Sequence, residues 1–254
     1  MTIIREEIIG DCRLILGDSL EVMPTLGQVS DLILTDAPYL VSKGGYSSNN
    51  QLEGGFGGWM KDYGNGGDIV DCDLLWSDWM GLAFSALKDD RQAYFMTNGR
   101  NLAQAQIAAE AAGFDMHTVL VWDKKTALPN KYYQNITEFT LFMKKGKAFT
   151  IADPASKNLV SIFQRDESKH PTEKPVELMS HYVGNSTALG QMVLDPFMGS
   201  GTTGVSCVDL GRKFIGIEKN LAFFDMACTR IDQATKRPSM FRPREPKGET
   251  LGLF

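Results

Sequence analysis

The sequence predicts an α/β fold built on a seven-stranded, mostly parallel β-sheet. Its 254 residues suffice for one globular domain with a substantial core. The apolar runs are short, rich in Ile, Leu and Val, and separated by segments with helical periodicity, which is typical of parallel strands buried on both faces. We therefore expect a doubly wound sheet in a single domain over residues 1–237, followed by an extended, proline-spaced tail over 238–254.

Each element follows from a local pattern. Gly113 and Gly211 lie where two predicted helices would end, as glycine often does, and Pro175 suits a first helical position. The strands at 117–122 and 138–143 have no helix between them, which predicts an antiparallel pair at one edge of the sheet. The predicted strands cover residues 12–17, 31–35, 92–97, 117–122, 138–143, 191–194 and 213–217. The predicted helices cover residues 74–88, 100–112, 175–185, 202–210 and 221–235.

Composition excludes several classes of protein. The chain is 43 % hydrophobic, but it has no apolar run near 18 residues and no basic-plus-apolar leader, so we expect a soluble, cytoplasmic protein that does not contact membranes. Its four cysteines form no C-x-x-C pair, which fits a reducing compartment and argues against structural zinc. We predict no metal site.

Charge is unevenly distributed along the chain. The net charge is −5, yet residues 1–123 carry 7 Lys or Arg against 18 Asp or Glu, whereas residues 124–254 carry 19 against 13. Phosphate binding depends on the local field more than on the total charge, so one basic face meeting nucleic acid is compatible with this asymmetry. Taken alone, a solvated lysine surface is the simpler explanation.

Four predicted strands run into an acidic residue, namely Asp18, Asp36, Asp195 and Glu218. The carboxyl ends of parallel strands share one edge of a sheet, where open α/β folds bind ligands. A single aspartate at such a place is usually a helix cap or a turn former. Four together, beside glycine-rich loops, predict a ligand site.

The segment Gly199–Gly204 has the G-x-G-x-x-G spacing usually assigned to dinucleotides. A dinucleotide places its anionic pyrophosphate on such a turn, where the Asp195 carboxylate would repel it. S-adenosylmethionine offers an ammonium group instead, so we expect Asp195 to meet that group and N–H groups near Gly201 and Thr202 to meet the methionine carboxylate. Glu218 is placed to accept hydrogen bonds from ribose hydroxyls of either cofactor. The loop residues predicted to contact the cofactor are Gly199, Ser200, Gly201 and Thr202. An ordinary strand-to-helix turn would produce the same spacing.

Residues 42–67 are rich in glycine and have almost nothing that could pack, which predicts a mobile loop. This loop closely follows the tetrapeptide Asp36-Ala37-Pro38-Tyr39. A lid or a substrate-gripping loop is the functional interpretation, and an insertion without function is the alternative.

Five segments together resemble the permuted beta group of DNA amino-methyltransferases, in which the catalytic half precedes the cofactor-binding half. LILTDAPY is similar to the catalytic D-P-P-Y motif, HPTEKP at 170–175 to an H-P-x-x-K-P segment, and LDPFMGSGTT to the cofactor loop. FIGIE and LILGDSLEVMPTL resemble the flanking motifs of the cofactor pocket. The order of the five segments matches across most of the chain.

The resemblance implies a Rossmann-like class I methyltransferase fold that uses S-adenosylmethionine and acts on adenine N6 or cytosine N4 in DNA. It implies Asp18 near the adenine amino group of the cofactor, Phe197 beside the cofactor, and Thr172 and Lys174 at its methionine end. It also implies a bacterial or phage-encoded restriction-modification enzyme associated with the nucleoid. The implied parts are a catalytic half at 18–150, a short DNA-recognition segment at 123–170, and a cofactor-binding half at 170–235 plus 10–20.

The residues of the tetrapeptide suit that chemistry. An exocyclic amino nitrogen is a poor nucleophile because its lone pair is delocalised into the ring. Hydrogen bonds from its two hydrogens to the Asp36 carboxylate and the Ala37 carbonyl would help to hold the lone pair on nitrogen and aim it at a sulfonium methyl group. Tyr39 would stack on the everted base. Ala37 replaces the first proline of the family motif, so the acceptor is kept and rigidity is lost, although Pro38 still restricts Ala37 to extended geometry.

Double-stranded DNA is the predicted partner. In the resembling family an aspartate at the first motif position goes more often with adenine N6, so we expect N6 methylation, with cytosine N4 as the alternative. A nicotinamide-dependent oxidoreductase and a catalytically silent DNA-binding relative also stay open. A homodimer is compatible with the sequence, which does not decide the oligomeric state. The residues expected to contact DNA are Lys43, Lys124, Lys125, Asn130, Lys131, Tyr132 and Tyr133.

Overall fold

The computed structural model describes residues 3–38, 74–125, 133–134, 136–163 and 174–237. Some of the sequence predictions concern residues outside these ranges. These are the loop at 42–67, the tail at 238–254, and Tyr39, Lys43, Asn130, Lys131, Tyr132 and Thr172.

Strands and helices alternate along most of the chain. The strands are β1 Ile3–Ile9, β2 Cys12–Gly17, β3 Ser30–Thr35, β4 Leu87–Thr97, β5 Asp115–Asp123, β6 Thr137–Lys145, β7 Leu159–Ser161, β8 Met192–Asp195 and β9 Lys213–Glu218. The helices are α1 Ser19–Leu26, α2 Trp76–Ala86, α3 Leu102–Ala111, α4 Val176–Ser186, α5 Thr202–Asp209 and α6 Leu221–Thr235.

All seven predicted strands and all five predicted helices are present, and within the described residues three further elements were not predicted. β1 lacks a buried apolar run, because its sequence IIREEII is exposed or only half-buried throughout. α1 has Pro24 in its interior, and β7 has only three residues. Gly113 and Gly211 follow helix ends with φ of 110° and 70°, as predicted. Pro175 is the N-cap of α4 rather than its first helical residue.

The strands form one nine-stranded mixed sheet in the order β1-β2-β9-β8-β3-β4-β6-β5-β7. The predicted count of seven strands is therefore wrong. Antiparallel pairing joins β1 to β2 and places β6 between β4 and β5. The predicted pairing of β5 with β6 is confirmed, but it does not lie at the edge of the sheet, since β7 pairs in parallel with β5 beyond it.

Alternate side chains of the central strands serve two separate cores, as a doubly wound sheet requires. Leu14 and Leu16 belong to a cluster on the face covered by α4, α5 and α6, which also contains Leu178. Ile15 and Ile33 belong to the cluster on the opposite face, with side chains of α1, α2 and α3. The two cores hold the ends of β2, β9, β8 and β3 in fixed relative positions.

Within the described residues, no helix is both long and apolar enough to cross a membrane.

Candidate active site

Four acidic side chains gather at one edge of the sheet. β2, β9, β8 and β3 are hydrogen-bonded neighbours that run parallel, so their carboxyl ends share an edge. Asp18, Glu218, Asp195 and Asp36 end or follow these strands in that order. The predicted gathering of the four acids is confirmed.

Asp36 forms an ion pair with a buried lysine. Nζ of Lys174 lies 2.5 Å from Asp36 Oδ2. The Asp36 side chain is 28 % exposed and can be reached from solvent, whereas that of Lys174 is only 8 % exposed. The family pattern implied a place for Lys174 at the methionine end of the cofactor, and in the structure its ammonium group contacts the carboxylate of the tetrapeptide.

A second carboxylate shares that ammonium group. Glu138, near the start of β6, has Oε2 at 3.3 Å from Lys174 Nζ and Oε1 at 3.2 Å from Lys124 Nζ. Burial raises the pKa of Glu138, but the two lysines outweigh burial and hold the pKa below its ordinary value. Two lysines and two carboxylates thus form a neutral chain of charges from Lys124 to Asp36. Sequence reasoning missed Glu138, although a charged residue in the apolar run of β6 was a usable signal.

Ala37 is held in place by burial. Ala37 is 2 % exposed and belongs to the apolar cluster that contains Trp76 and Trp79. The following Pro38 is exposed. Packing of the Ala37 methyl group therefore fixes this part of the tetrapeptide, where the family motif has a proline ring.

The glycines between β8 and α5 serve different purposes. Gly199 and Gly201 have φ of 50° and 82°, a left-handed backbone that favours glycine. A Cβ added at Gly201 would lie 2.8 Å from Ala227 Cβ, so this glycine allows α6 to pack closely against the loop. Among the described residues, nothing lies within 4 Å of a Cβ added at Gly199, so the described part of the chain leaves space beside this residue.

Asp195 is turned into the protein. Its Oδ1 accepts hydrogen bonds from Thr35 Oγ1 at 2.7 Å and from the Phe197 N–H at 3.1 Å, and its Oδ2 accepts one from Thr203 Oγ1 at 2.7 Å. Asp195 is 3 % exposed, and burial raises its pKa to about 6. The carboxylate ties β3 to the glycine-rich loop. This geometry favours a role in shaping the loop over the predicted contact with a cofactor ammonium group.

The Gly201 N–H is likewise directed inward, because it donates to the Met198 carbonyl at 2.8 Å. The sequence had suggested that N–H groups near Gly201 and Thr202 meet a ligand carboxylate. The Gly201 N–H is instead used within the loop. The turn that this bond closes orients the start of α5.

Glu218 stands at the open side of the loop. Its Oε2 accepts a hydrogen bond from the Gly199 N–H at 3.0 Å, and its Oε1 accepts one from the Asn220 N–H at 2.7 Å. Burial raises its pKa above the ordinary value. Each carboxylate oxygen has a second lone pair, so Glu218 can also accept hydrogen bonds from a diol.

Asp18 and Phe197 flank this region. Asp18 caps α1 by accepting a hydrogen bond from the Leu20 N–H at 2.9 Å, and its Oδ2 lies 2.9 Å from Lys219 Nζ. The ring of the half-buried Phe197 packs edge-on against Trp79, with a centroid distance of 5.1 Å. Both residues therefore have fixed positions beside the loop.

Arg230 braces the loop from α6. Its Nη1 donates to the Ser200 carbonyl at 2.7 Å, to Ser200 Oγ at 2.6 Å and to Thr202 Oγ1 at 3.2 Å. Sequence reasoning missed Arg230, because a single arginine in an amphipathic helix resembles an ordinary surface charge. The structure shows that this side chain restrains two of the residues predicted to contact a cofactor.

The predicted DNA-contacting residues that the structure describes lie in different environments. Tyr133 is 93 % exposed. Lys124 pairs with Glu138, and Lys125 lies 2.5 Å from Asp123 Oδ2. The two lysines are thus held by carboxylates of the protein.

In the part of the chain that the structure describes, no group of three or more His, Cys, Asp or Glu residues is arranged to hold a metal ion.

Comparison with known proteins identifies the class. The sequence profile described as DNA methylase matches residues 30–229. The Type II methyltransferase M2.DpnII of Streptococcus pneumoniae is 29 % identical over 233 residues, which cover 80 % of this chain and 82 % of that protein. The Type II methyltransferase M2.MboI of Moraxella bovis is 27 % identical over 226 residues, 81 % of each chain.

Solved structures agree with the sequence comparison. The fold matches the M1.HpyAVI–SAM complex with a TM-score of 0.65 and 25 % identity, over 86 % of this chain and 99 % of that one. It also matches the cytosine-N4-specific PvuII DNA methyltransferase with a TM-score of 0.67 and 16 % identity, over 87 % of this chain and 86 % of that one. The second match supports the fold alone.

The α/β sheet with its glycine-rich loop and acidic edge is that of an S-adenosylmethionine-dependent methyltransferase. The chain belongs to the DNA methylase family of N6 and N4 amino-methyltransferases, and the predicted resemblance is confirmed.

Proposed function

We propose that this DNA amino-methyltransferase acts on the exocyclic N6 of adenine, in a base turned out of the DNA helix. One observation carries the proposal. Asp36 and the glycine-rich loop follow β3 and β8, which are directly hydrogen-bonded neighbours, so an amino group held at Asp36 lies beside that loop. Burial is the main reason that the pKa of Asp195 is raised, and the nearby charge of Asp36 adds to the increase.

The residues present fit S-adenosylmethionine as cofactor. The described residues leave space beside Gly199, and the neighbouring Glu218 carboxylate has lone pairs for two ribose hydroxyls. Asp18 and Phe197 border the same region. When bound, the cofactor supplies an electrophilic methyl group on a sulfonium ion.

We assign the alignment of the target base to the tetrapeptide. The Asp36 carboxylate and the Ala37 carbonyl accept hydrogen bonds from the amino group, which keeps its lone pair on nitrogen and directs it toward the loop. The amino proton passes to Asp36 or to water after the displacement, and no covalent enzyme intermediate is needed. Alignment of two reacting groups can contribute about 7–11 kcal/mol to lowering a reaction barrier.

Asp195 and Arg230 act on the loop in this proposal. Asp195 fixes it from the side of the sheet through Thr35 and Thr203, and Arg230 fixes it from α6 through Ser200. The loop is therefore rigid before a ligand arrives, which lowers the entropic cost of binding.

The choice of adenine depends on Asp36 as the first residue of the tetrapeptide, since aspartate there accompanies adenine N6 more often in the family. Cytosine N4 is the second candidate, because the same two acceptors suit either amino group.

The proposal extends to the partner and the setting. We propose double-stranded DNA as substrate, the cytoplasm with its nucleoid as location, and a homodimer as the form in solution. The DNA contacts of Tyr133 and the lysines, and the division into catalytic, DNA-recognition and cofactor-binding parts, stay proposals too. Light scattering of the purified chain tests the homodimer.

Analysis of the methylated product tests the function. Unmodified plasmid DNA is incubated with the enzyme and tritiated S-adenosylmethionine, digested to nucleosides and separated by chromatography. Label in N6-methyladenine is the expected result. Label in N4-methylcytosine would contradict the choice of base.

Calorimetry separates an inactive relative from an enzyme of another class. Tight binding of S-adenosylhomocysteine without transfer of label would identify a silent relative. Binding of NADP without S-adenosylhomocysteine would overturn the cofactor assignment.

A further inference from the structure

We propose that Glu138 is a positioning residue for methyl transfer, which acts by holding the Lys174 ammonium group against one oxygen of Asp36. The inference rests on the proposed catalytic role of Asp36. Glu138 lies on β6, far from the tetrapeptide and the glycine-rich loop along the chain, and Lys174 pairs with both Glu138 and Asp36.

Two carboxylates hold the Lys174 ammonium group in a more defined position than one carboxylate would. Lysine is a point charge on a flexible four-carbon stem, so an ion pair with Asp36 alone permits many arrangements. Nζ of Lys174 lies 2.5 Å from Asp36 Oδ2 and 3.3 Å from Glu138 Oε2, and a group held between two carboxylates has one preferred place. Asp36 Oδ2 is thereby held in a defined orientation.

The charges also balance. Lys174 is 8 % exposed, and a buried cation between two carboxylates would leave the group with a net negative charge. Lys124 supplies the missing positive charge at Glu138 Oε1. The two positive charges of Lys124 and Lys174 thus match the two carboxylates of Glu138 and Asp36.

A charge-removing variant with a matched control tests the proposal. Glu138→Gln has the same size and lacks the charge. Asp115→Asn is the control. The ion pair of Asp115 with Lys144 joins β5 to β6 at the end of these strands that lies away from Glu138. We expect Glu138→Gln to lower kcat at least about tenfold. Its KM for DNA and its affinity for S-adenosylhomocysteine by calorimetry should stay near wild type, as should all three constants in Asp115→Asn.

A double-mutant cycle distinguishes positioning from a merely structural role. If Glu138 acts through Lys174, the double variant Glu138→Gln/Lys174→Met has the same kcat as Lys174→Met alone. Independent, multiplicative losses of kcat in the double variant would overturn the proposal, as would wild-type kcat in Glu138→Gln. If Glu138→Gln does not fold, Glu138→Asp takes its place, with reduced kcat expected and wild-type kcat contradicting the proposal.

The wild-type enzyme is measured first in the same assay. Absence of methylated nucleoside there refutes the proposed function, whereas an active wild type with an unaffected Glu138→Gln refutes only the role of Glu138.

Discussion

The two positive-φ glycines of the cofactor loop should respond differently to the same substitution. Gly201→Ala and Gly199→Ala each place a methyl group on a left-handed backbone, with φ of 82° and 50°. At Gly201 the added Cβ lies 2.8 Å from Ala227 Cβ and 3.0 Å from Ala227 Cα, whereas at Gly199 it meets no described residue within 4 Å. Gly199→Ala is therefore a matched control for backbone strain without a steric clash.

The expected cost has two parts. Left-handed backbone costs an alanine about 1–2 kcal/mol at either position. The clash at Gly201 involves the backbone of α6, which cannot move away as a flexible side chain would, and overpacking of this kind adds about 1–3 kcal/mol. Gly201→Ala should thus lower the free energy of unfolding by about 2–5 kcal/mol, and Gly199→Ala by about 1–2 kcal/mol.

Urea denaturation followed by tryptophan fluorescence measures both losses. Calorimetry with S-adenosylhomocysteine should show the reverse order, since only the Gly199 methyl group enters the open space of the proposed cofactor site. Equal losses of stability in the two variants, or wild-type stability in Gly201→Ala, would refute the assignment of Gly201 to helix packing.

Two further predictions concern the groups that hold the loop. Burial raises the pKa of Asp195 from 3.8 to about 6, so the folded state binds its proton more tightly than the unfolded chain does. The stability associated with this proton is present at low pH and is lost as pH rises toward 6, by about 3 kcal/mol in total. Between about pH 4 and pH 7, wild type should therefore lose stability relative to Asp195→Asn, as measured by urea denaturation. Arg230→Gln removes charge-assisted hydrogen bonds to Ser200 and should weaken binding of S-adenosylhomocysteine about tenfold in calorimetry. Arg5→Gln is the control, because Arg5 pairs with Asp225 of the same helix. A pH-independent stability difference would contradict the first prediction, and equal affinities in the two arginine variants would contradict the second.

The sequence was sufficient for the central strands and their acidic ends. Short apolar runs predict β2, β3, β8 and β9. The acidic residue at the end of each run can be read from the sequence alone. β1 could not be predicted in this way, because an edge strand with exposed charges lacks a buried run. The place of β6 inside the sheet follows from strand order, which local sequence does not specify.

The contacts of the site residues were harder to predict than which residues belong to the site. Asp195 was expected to face a ligand, yet Thr35 from the neighbouring strand and Thr203 from the following helix take up its carboxylate. Glu138 and Arg230 act on residues about 30 or more positions away in the chain, and the local sequence around each of them does not show which residues it contacts. Family motifs locate the residues that touch ligands, whereas the side chains that hold those residues are seen only in three dimensions.

Methyl transfer by the Asp36→Ala variant shows whether the amino group of the base is held at this carboxylate beside the cofactor loop. Tritium incorporation into DNA at saturating cofactor is compared with wild type, and S-adenosylhomocysteine binding is measured on the same preparation. We expect background incorporation with nearly unchanged binding, as the proposed catalytic role of Asp36 requires. Wild-type turnover in Asp36→Ala would contradict it.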